Sequence, residues 1–167
     1  MVALNAANAG LLASYLTSID AAGLIRQVRE QPLGAIVDST PAMLDPPSLD
    51  PPPDAAYPGF AADHVNRRSL IFVGANDGMM HAFNAVTGAE MFAYIPHGVF
   101  RNLHRLADPV YSHQFYADGT PTVVDAYFGS AWHTMLVAGL NKGGQSVFAL
   151  DVTDPASVQA LSEAAQA

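Results

Sequence analysis

"VGANDGMMHAFNAVTGAEMFAY", residues 73–94, is the stretch on which the fold turns. Two turn signals, Asn76-Asp77-Gly78 and Val86-Thr87-Gly88, separate three runs of β-type residues: "SLIFVGA" (69–75), "MMHAFNA" (79–85) and "EMFAYIP" (90–96). Asn and Asp tolerate positive φ and Gly adopts it freely, so each triplet turns the chain back and the stretch reads as a β-meander. The unbroken apolar run from Leu70 to Val73 predicts a strand covered on both faces, as in stacked sheets. The acidic turn poses a chemical question as well. A calcium loop needs several oxygen ligands, commonly at alternate positions, and this turn supplies one amide and one carboxylate before Gly78. The expectation is a turn that builds a wall.

Downstream, residues 118–155 repeat the order. Thr40-Pro41 opens the first unit and Thr120-Pro121 the second; "IFVGANDG" (71–78) answers to "MLVAGLNKGG" (135–144), and "HAFNAVTG" (81–88) to "FALDVTDP" (148–155), which matches Phe83 with Leu150. Tandem units of about 40–50 residues, each with four short strands, mark the blades of a β-propeller. The two units stand further apart than that. The surplus, "PHGVFRNLHRLADPVYSHQFY" (96–116), places Val99, Phe100, Leu103 and Leu106 at helical spacing before Asp108-Pro109 stops the helix.

The expected fold is therefore all-β, a fragment of a β-propeller over 32–155. Blade one covers 33–96, with strands at 34–44, 69–75, 79–84 and 90–95. A helical insertion occupies 97–117. Blade two covers 118–155, with strands at 120–128, 133–139 and 146–152 and no fourth. Two blades cannot close a ring, so the chain reads as a piece of something larger. Residues 1–31 form a helical lead-in: Leu11, Leu12, Tyr15, Leu16 and Ile19, then Leu24, Ile25 and Val28, have helical spacing broken near Asp20 to Gly23, which predicts two short helices. "DPPSLDPPPDAAYP" (45–58) reads as an extended surface loop, with a proline-rich binding motif as the functional alternative. Residues 156–167 read as a tail, a frayed helix after Pro155.

Composition narrows the partners. Half of the 167 residues are hydrophobic and 13% are charged, well under the roughly 25% of ordinary soluble domains, so much of the surface is expected to meet other protein. The net charge is −8 and no Lys/Arg run could neutralise phosphates, which argues against nucleic acid. With no cysteine, disulfides, Cys-ligated zinc and thiol nucleophiles are excluded. The start lacks the basic and apolar regions of a secretion signal, and no run of about 20 apolar residues offers membrane insertion. An exported parent would carry its address upstream, with Met1 a false start on an incomplete reading frame.

Candidate chemistry is sparse. Asp151 and Asp154 in "DVTDP" (151–155) flank a hydroxyl, which could interest a metal or serve as a general acid; Asx-turn chemistry, shared with "NAVTG" (84–88), explains the pattern better. Asn76, Asp77, Gly78, Thr87, Gly88, Asp151 and Asp154 are assigned as structural turn residues. The six histidines (64, 81, 97, 104, 113, 133) lack the i, i+4 spacing of a zinc helix. Ser112 and His113 with Asp108 or Asp118 hold the ingredients of a triad without a nucleophile-elbow frame. Met79, Met80, Phe83, Phe92 and Tyr94 alternate along strands and should pack between blades. Trp132 should pack within a blade, with a partner anchor as the alternative. No catalytic, cofactor or metal site is expected.

Four segments go further: "LGAIVDSTP" (33–41), "FVGANDGMMHAFNAVTGAEMFAYIP" (72–96), "NLHRLADPVYSHQFYADGTPTVVDAYF" (102–128) and "VAGLNKGGQSVFALDVTDP" (137–155). In order, spacing and wording they resemble the PilC/PilY family of type IV pilus proteins, over roughly residues 31–155. The resemblance implies a modified, quinoprotein-like propeller in a large exported protein at the pilus tip, the cell surface or the periplasm and outer membrane, supporting pilus extension and adhesion. Implied partners are the parent's other blades and pilus subunits or a host or surface receptor. The family's calcium loop, "DxDxDG", does not occur here, so calcium belongs elsewhere in the parent if anywhere. Two other functions remain open. Quinone-cofactor (PQQ-dependent) dehydrogenases share the blade type with "AxDxxTGxxxW" motifs, but "AFNAVTGAEMFAY" (82–94) keeps Thr87-Gly88 while carrying Asn84 for Asp and no Trp. A periplasmic scaffold propeller for outer-membrane assembly is the other.

Overall fold

Each turn triplet closes a hairpin, and the hairpins assemble into two antiparallel sheets of four strands, each in sequence order. The first holds β1 (Ala42–Leu44), β2 (Leu70–Gly74), β3 (Met80–Asn84) and β4 (Glu90–Tyr94); the second holds β5 (Thr122–Phe128), β6 (Ala131–Gly139), β7 (Ser146–Asp151) and β8 (Gln159–Ala165). The computed structural model describes residues 5–13, 15, 20–156 and 159–165.

Three sequence expectations change. The first strand was expected over 34–44, yet only Ala42–Leu44 pairs with β2, and residues 34–41 run as irregular chain. The second blade is not short of a strand: β8 lies in the segment expected to be a helical tail, and it pairs with β7 from Ser146–Ala165 to Asp151–Gln159. Its alanines suggested helix, but the unpaired edge of β7 offers a ladder of backbone partners that intrinsic propensity does not weigh. The proline-rich loop ends early, in helix α3 (Tyr57–Asp63), with Pro58 in the first turn where a missing N–H costs nothing. Asp54 Oδ1 accepts from the Ala56 and Tyr57 amides, both at 2.9 Å, and starts that helix.

The lead-in contains α1 (Gly10–Ala13) and α2 (Ala21–Glu30). Asp20 caps α2 by accepting from the Ala22 and Gly23 amides at 3.1 and 3.0 Å, and Leu24, Ile25 and Val28 bury the apolar face. Leu16 and Ile19 lie outside the described residues. The insertion is helical as read: a 3-10 turn over His97–Val99, α4 (Phe100–Leu103) and a second 3-10 turn over His104–Ala107, with Val99 and Leu103 buried in the core.

Registers fix how the sheets correspond. Phe72 lies opposite Ala82 in the first sheet and Val137 opposite Ala149 in the second, and the next ladder slips at matching places, between Ala82 and Phe83 and between Ala149 and Leu150. Phe72 and Ala82 thus correspond to Val137 and Ala149. Side chains alternate across a sheet. Leu70, Phe72, Met80 and Ala82 point at the second sheet and meet Leu136, Phe148 and Leu150, all buried in one core. The corresponding face of the second sheet, with Val124, Val137 and Val147, points outward and is exposed. The contact is therefore head-to-tail: what sheet one turns toward sheet two, sheet two turns away. Stacking by one repeated operation is the geometry of a propeller.

Candidate functional site

The irregular segment 34–41 is a strap lying over the seam between the sheets. Asp38-Ser39-Thr40 runs against its own repeat, Asp118-Gly119-Thr120. The Asp38 amide donates to Asp118 Oδ1 (3.2 Å), the Ser39 hydroxyl to the Gly119 carbonyl (3.1 Å), and the Thr40 amide to Thr120 Oγ1 (3.0 Å). Ser39 Oγ also accepts from the Gly74 amide of β2 at 2.9 Å. Lys142 closes the crossing on the solvent side, with Nζ 2.6 Å from Asp38 Oδ2; that bond holds the Asp38 carboxyl below its ordinary value.

At its leading end the strap is pinned to the acidic turn. Asp77 Oδ2 accepts from the Gly34 amide at 2.7 Å, and the Asn76 amide donates to the Ala35 carbonyl at 3.0 Å. The same carboxylate faces His81: Nε2 is 3.0 Å from Oδ2 and 3.1 Å from Oδ1. On the other ring edge, Nδ1 is 2.6 Å from Glu90 Oε1 of β4. His81 and Asp77 are each 3% exposed. Burial works against a charged imidazole, yet the Asp77 carboxylate, and then Glu90, outweigh it and raise His81 above its ordinary value. A carboxylate stands at each ring nitrogen, so the protonated ring can donate at both positions. The acidic turn thus holds a histidine and a strap.

A second polar cluster ties α3 to the second sheet. Asp125 accepts from the Tyr57 hydroxyl (2.6 Å) and the Thr134 hydroxyl (2.5 Å); Arg67 Nη1 donates to Thr134 Oγ1 (2.7 Å), and Nη2 donates to the Asp45 carbonyl. Burial lowers the Arg67 value and raises that of Tyr57. Trp132 packs edge-on against Tyr57 at 5.0 Å and donates to Asp54 at 3.1 Å, so it closes α3 onto the sheet.

The turn residues read from sequence occupy separate hairpins and do not converge. Gly78 and Gly88 take φ of +94° and +71°. Asn84 Oδ1 accepts from the Val86 and Thr87 amides, Thr87 Oγ1 from the Ala89 amide, and Asp154 Oδ1 from the Ala156 amide. Asp151, the counterpart of Asn84, accepts from the Thr153 amide and from His133 Nδ1 at 2.8 Å; burial opposes ionisation there, but Thr153 and His133 bring it below its ordinary value. Among the described residues no three His, Asp or Glu side chains converge on a metal position. Ser112 and Asp108 line a cavity of about 280 Å³ with His104, Arg105 and Tyr111, whereas Asp118 is buried under the strap.

Phe83 lies on the side of the first sheet turned away from the second sheet. It lies on the opposite face from Met80, stacked on His81 with centroids 5.9 Å apart. Sequence reading missed Gly34, His81 and Glu90 as one unit, since a strand hairpin joins them without a helical interval. The strap did leave a trace, the tetrapeptides Asp38-Ser39-Thr40-Pro41 and Asp118-Gly119-Thr120-Pro121.

Comparison with known proteins agrees with this architecture. Residues 33–166 match the family model of the PilY1 beta-propeller domain. The chain is 45% identical over 146 residues to a "Type IV pilus biogenesis factor PilY1" of Pseudomonas aeruginosa, covering 82% of this chain and 12% of that protein. A Xylella fastidiosa protein named as a homolog of that factor is 40% identical over 142 residues, covering 81% and 12%. The crystal structure of the Pseudomonas aeruginosa PilY1 C-terminal domain superimposes with a TM-score of 0.53 at 47% identity, covering 65% of this chain and 21% of that one. The chain therefore spans about an eighth of the length of these curated relatives. Two stacked four-stranded blades, joined by a helical insertion and matched over residues 33–166, place the chain in the PilY1 β-propeller domain family.

Proposed function

We propose that the chain is a non-catalytic module of a type IV pilus assembly and adhesion protein, acting by protein surface contact and without a cofactor of its own. The observation that carries this reading is the set of exposed apolar side chains on the two outer faces. Met43 and Met91 on the first sheet and Val124, Val137 and Val147 on the second are exposed, and each face is the geometric counterpart of one already buried between the sheets. Further blades of the parent cover those faces, and the assembled propeller meets pilus subunits or a surface receptor. The relatives' names as pilus biogenesis factors support this role. The acidic charge gives nucleic acid no purchase, and no described helix is long and apolar enough to cross a membrane. The parent acts after export, at the cell surface, the pilus tip or the periplasm and outer membrane.

The buried Asp77 and Asp118 and the half-buried Asp125 serve structure. Asp77 and Asp118 accept from backbone amides of the strap, and Asp125 accepts from Tyr57 and Thr134. The test is complementation of a strain lacking the parent gene with the parent protein carrying Val137→Asp and Val147→Asp. Loss of surface pili and attachment, with the protein still exported, is expected; unchanged pili and attachment would overturn the proposal. A second measurement adds pyrroloquinoline quinone and calcium to the parent protein. No dye-linked alcohol oxidation is expected, and turnover would make it an enzyme.

A further inference from the structure

In the second sheet the position corresponding to His81 is Phe148, an ordinary core residue. The first sheet instead buries a histidine between two carboxylates of unequal character. Asp77 is held on three sides: it accepts from the Gly34 amide at 2.7 Å and the Met79 amide at 3.1 Å as well as from His81. Its negative charge has backbone partners whatever the state of the ring. The Glu90 side chain is 49% exposed and is described with His81 as its one partner. Glu90 also stands where the ladder between β3 and β4 slips, opposite Phe83, so its own backbone pairing is irregular.

We propose that the Glu90–His81 contact is a proton-dependent latch, fastening the start of strand β4 to the acidic turn while the imidazole is protonated and releasing it when the ring is neutral. A neutral imidazole has one N–H. Asp77, buried and fixed by amides, retains it at Nε2, which turns the Nδ1 lone pair toward Glu90 Oε1 at 2.6 Å. Two electron-rich atoms cannot stay that close, and in this chain the Glu90 side chain, 49% exposed, has room to swing away. The charged groups around the ring are few. The turn contributes Asp77 and β4 contributes Glu90; Val73 on β2 and Phe83 on β3 carry no charge. Asp38, the strap's one charged side chain, is paired with Lys142, and Arg68 reaches the Met91 sulfur beside Glu90. No cation in this set replaces the lost proton at Nδ1, and Arg68 can receive the freed carboxylate.

The latch acts on the most exposed strand of the first sheet, which pairs on one side with β3. Amide hydrogen exchange of the full chain reads it directly, with protection corrected for the intrinsic pH dependence of exchange and His81 followed by nitrogen-detected NMR. Protection of residues 91–94 should fall several-fold as pH rises through the His81 titration, with its midpoint at that titration, while β2 stays unchanged. Glu90→Gln should remove the dependence, because its amide donates to a bare Nδ1 and its carbonyl accepts from a protonated one. Protection of β4 that ignores the His81 titration, or an equal loss in Glu90→Gln, overturns the latch.

Discussion

Gly34 shows how narrow the tolerance is at single positions. A Cβ there would stand 2.4 Å from the Asp77 amide nitrogen, inside any permitted contact, so the strap can reach the turn only through glycine. Gly34→Ala is expected to cost about 1–3 kcal/mol, read as a lowered urea midpoint with an unchanged slope. His81 gives a prediction with a sign. Its folded value is raised, so its stabilisation is complete below the unfolded value near 6.5 and is lost as pH rises through the folded value. Urea midpoints of the native chain should therefore fall across that window relative to His81→Phe, which carries no titrating ring. Parallel pH profiles of the two proteins would rule this out. None of this was legible in "NDGMMHAFNAVTGAE" (76–90). The turn chemistry of Asn76-Asp77-Gly78 could be read locally, but Glu90 meets His81 only because the next hairpin folds back.

Strands and turns were the most legible elements. Alternating apolar residues and the Gly-bearing triplets placed β2, β3 and β4 within a residue or so, since hairpin closure depends on neighbours in sequence. β8 was missed because "QALSEAA" (159–165) carries helix-forming residues, and its strand state comes from the open edge of β7. α3 was missed because prolines mask a helix they also initiate. Its attachment runs through the Tyr57 hydroxyl, which donates to Asp125 at 2.6 Å. Tyr57→Phe should destabilise by about 1–2 kcal/mol, because it leaves the half-buried Asp125 carboxylate one donor short. Thermal melting checks it, and a change no larger than that of a surface substitution would show that α3 docks by its aromatic contacts alone.

For the molecule as a whole, the head-to-tail stack leaves one unsatisfied face at each end. The intact chain in isolation is expected to associate in a concentration-dependent way, the outer face of one sheet two meeting the outer face of another sheet one. Val137→Asp should shift light-scattering masses toward monomer without changing the far-ultraviolet spectrum. A sharp, reversible melt of a monomer at every concentration would contradict the open-stack picture.

Local chemistry in the sequence determined the hairpins, the tandem repeat, the helical insertion and the likeness to a pilus-protein family, because turn residues, side-chain alternation and repeated wording act over short separations. Tertiary structure alone decided that residues 34–41 cross the seam instead of pairing, that 159–165 extends a sheet, and that Asp77 and Glu90 stand on either side of the His81 ring. Those outcomes depend on which backbone groups and carboxylates remain unpartnered after the sheets stack, and that is a property of the assembled fold.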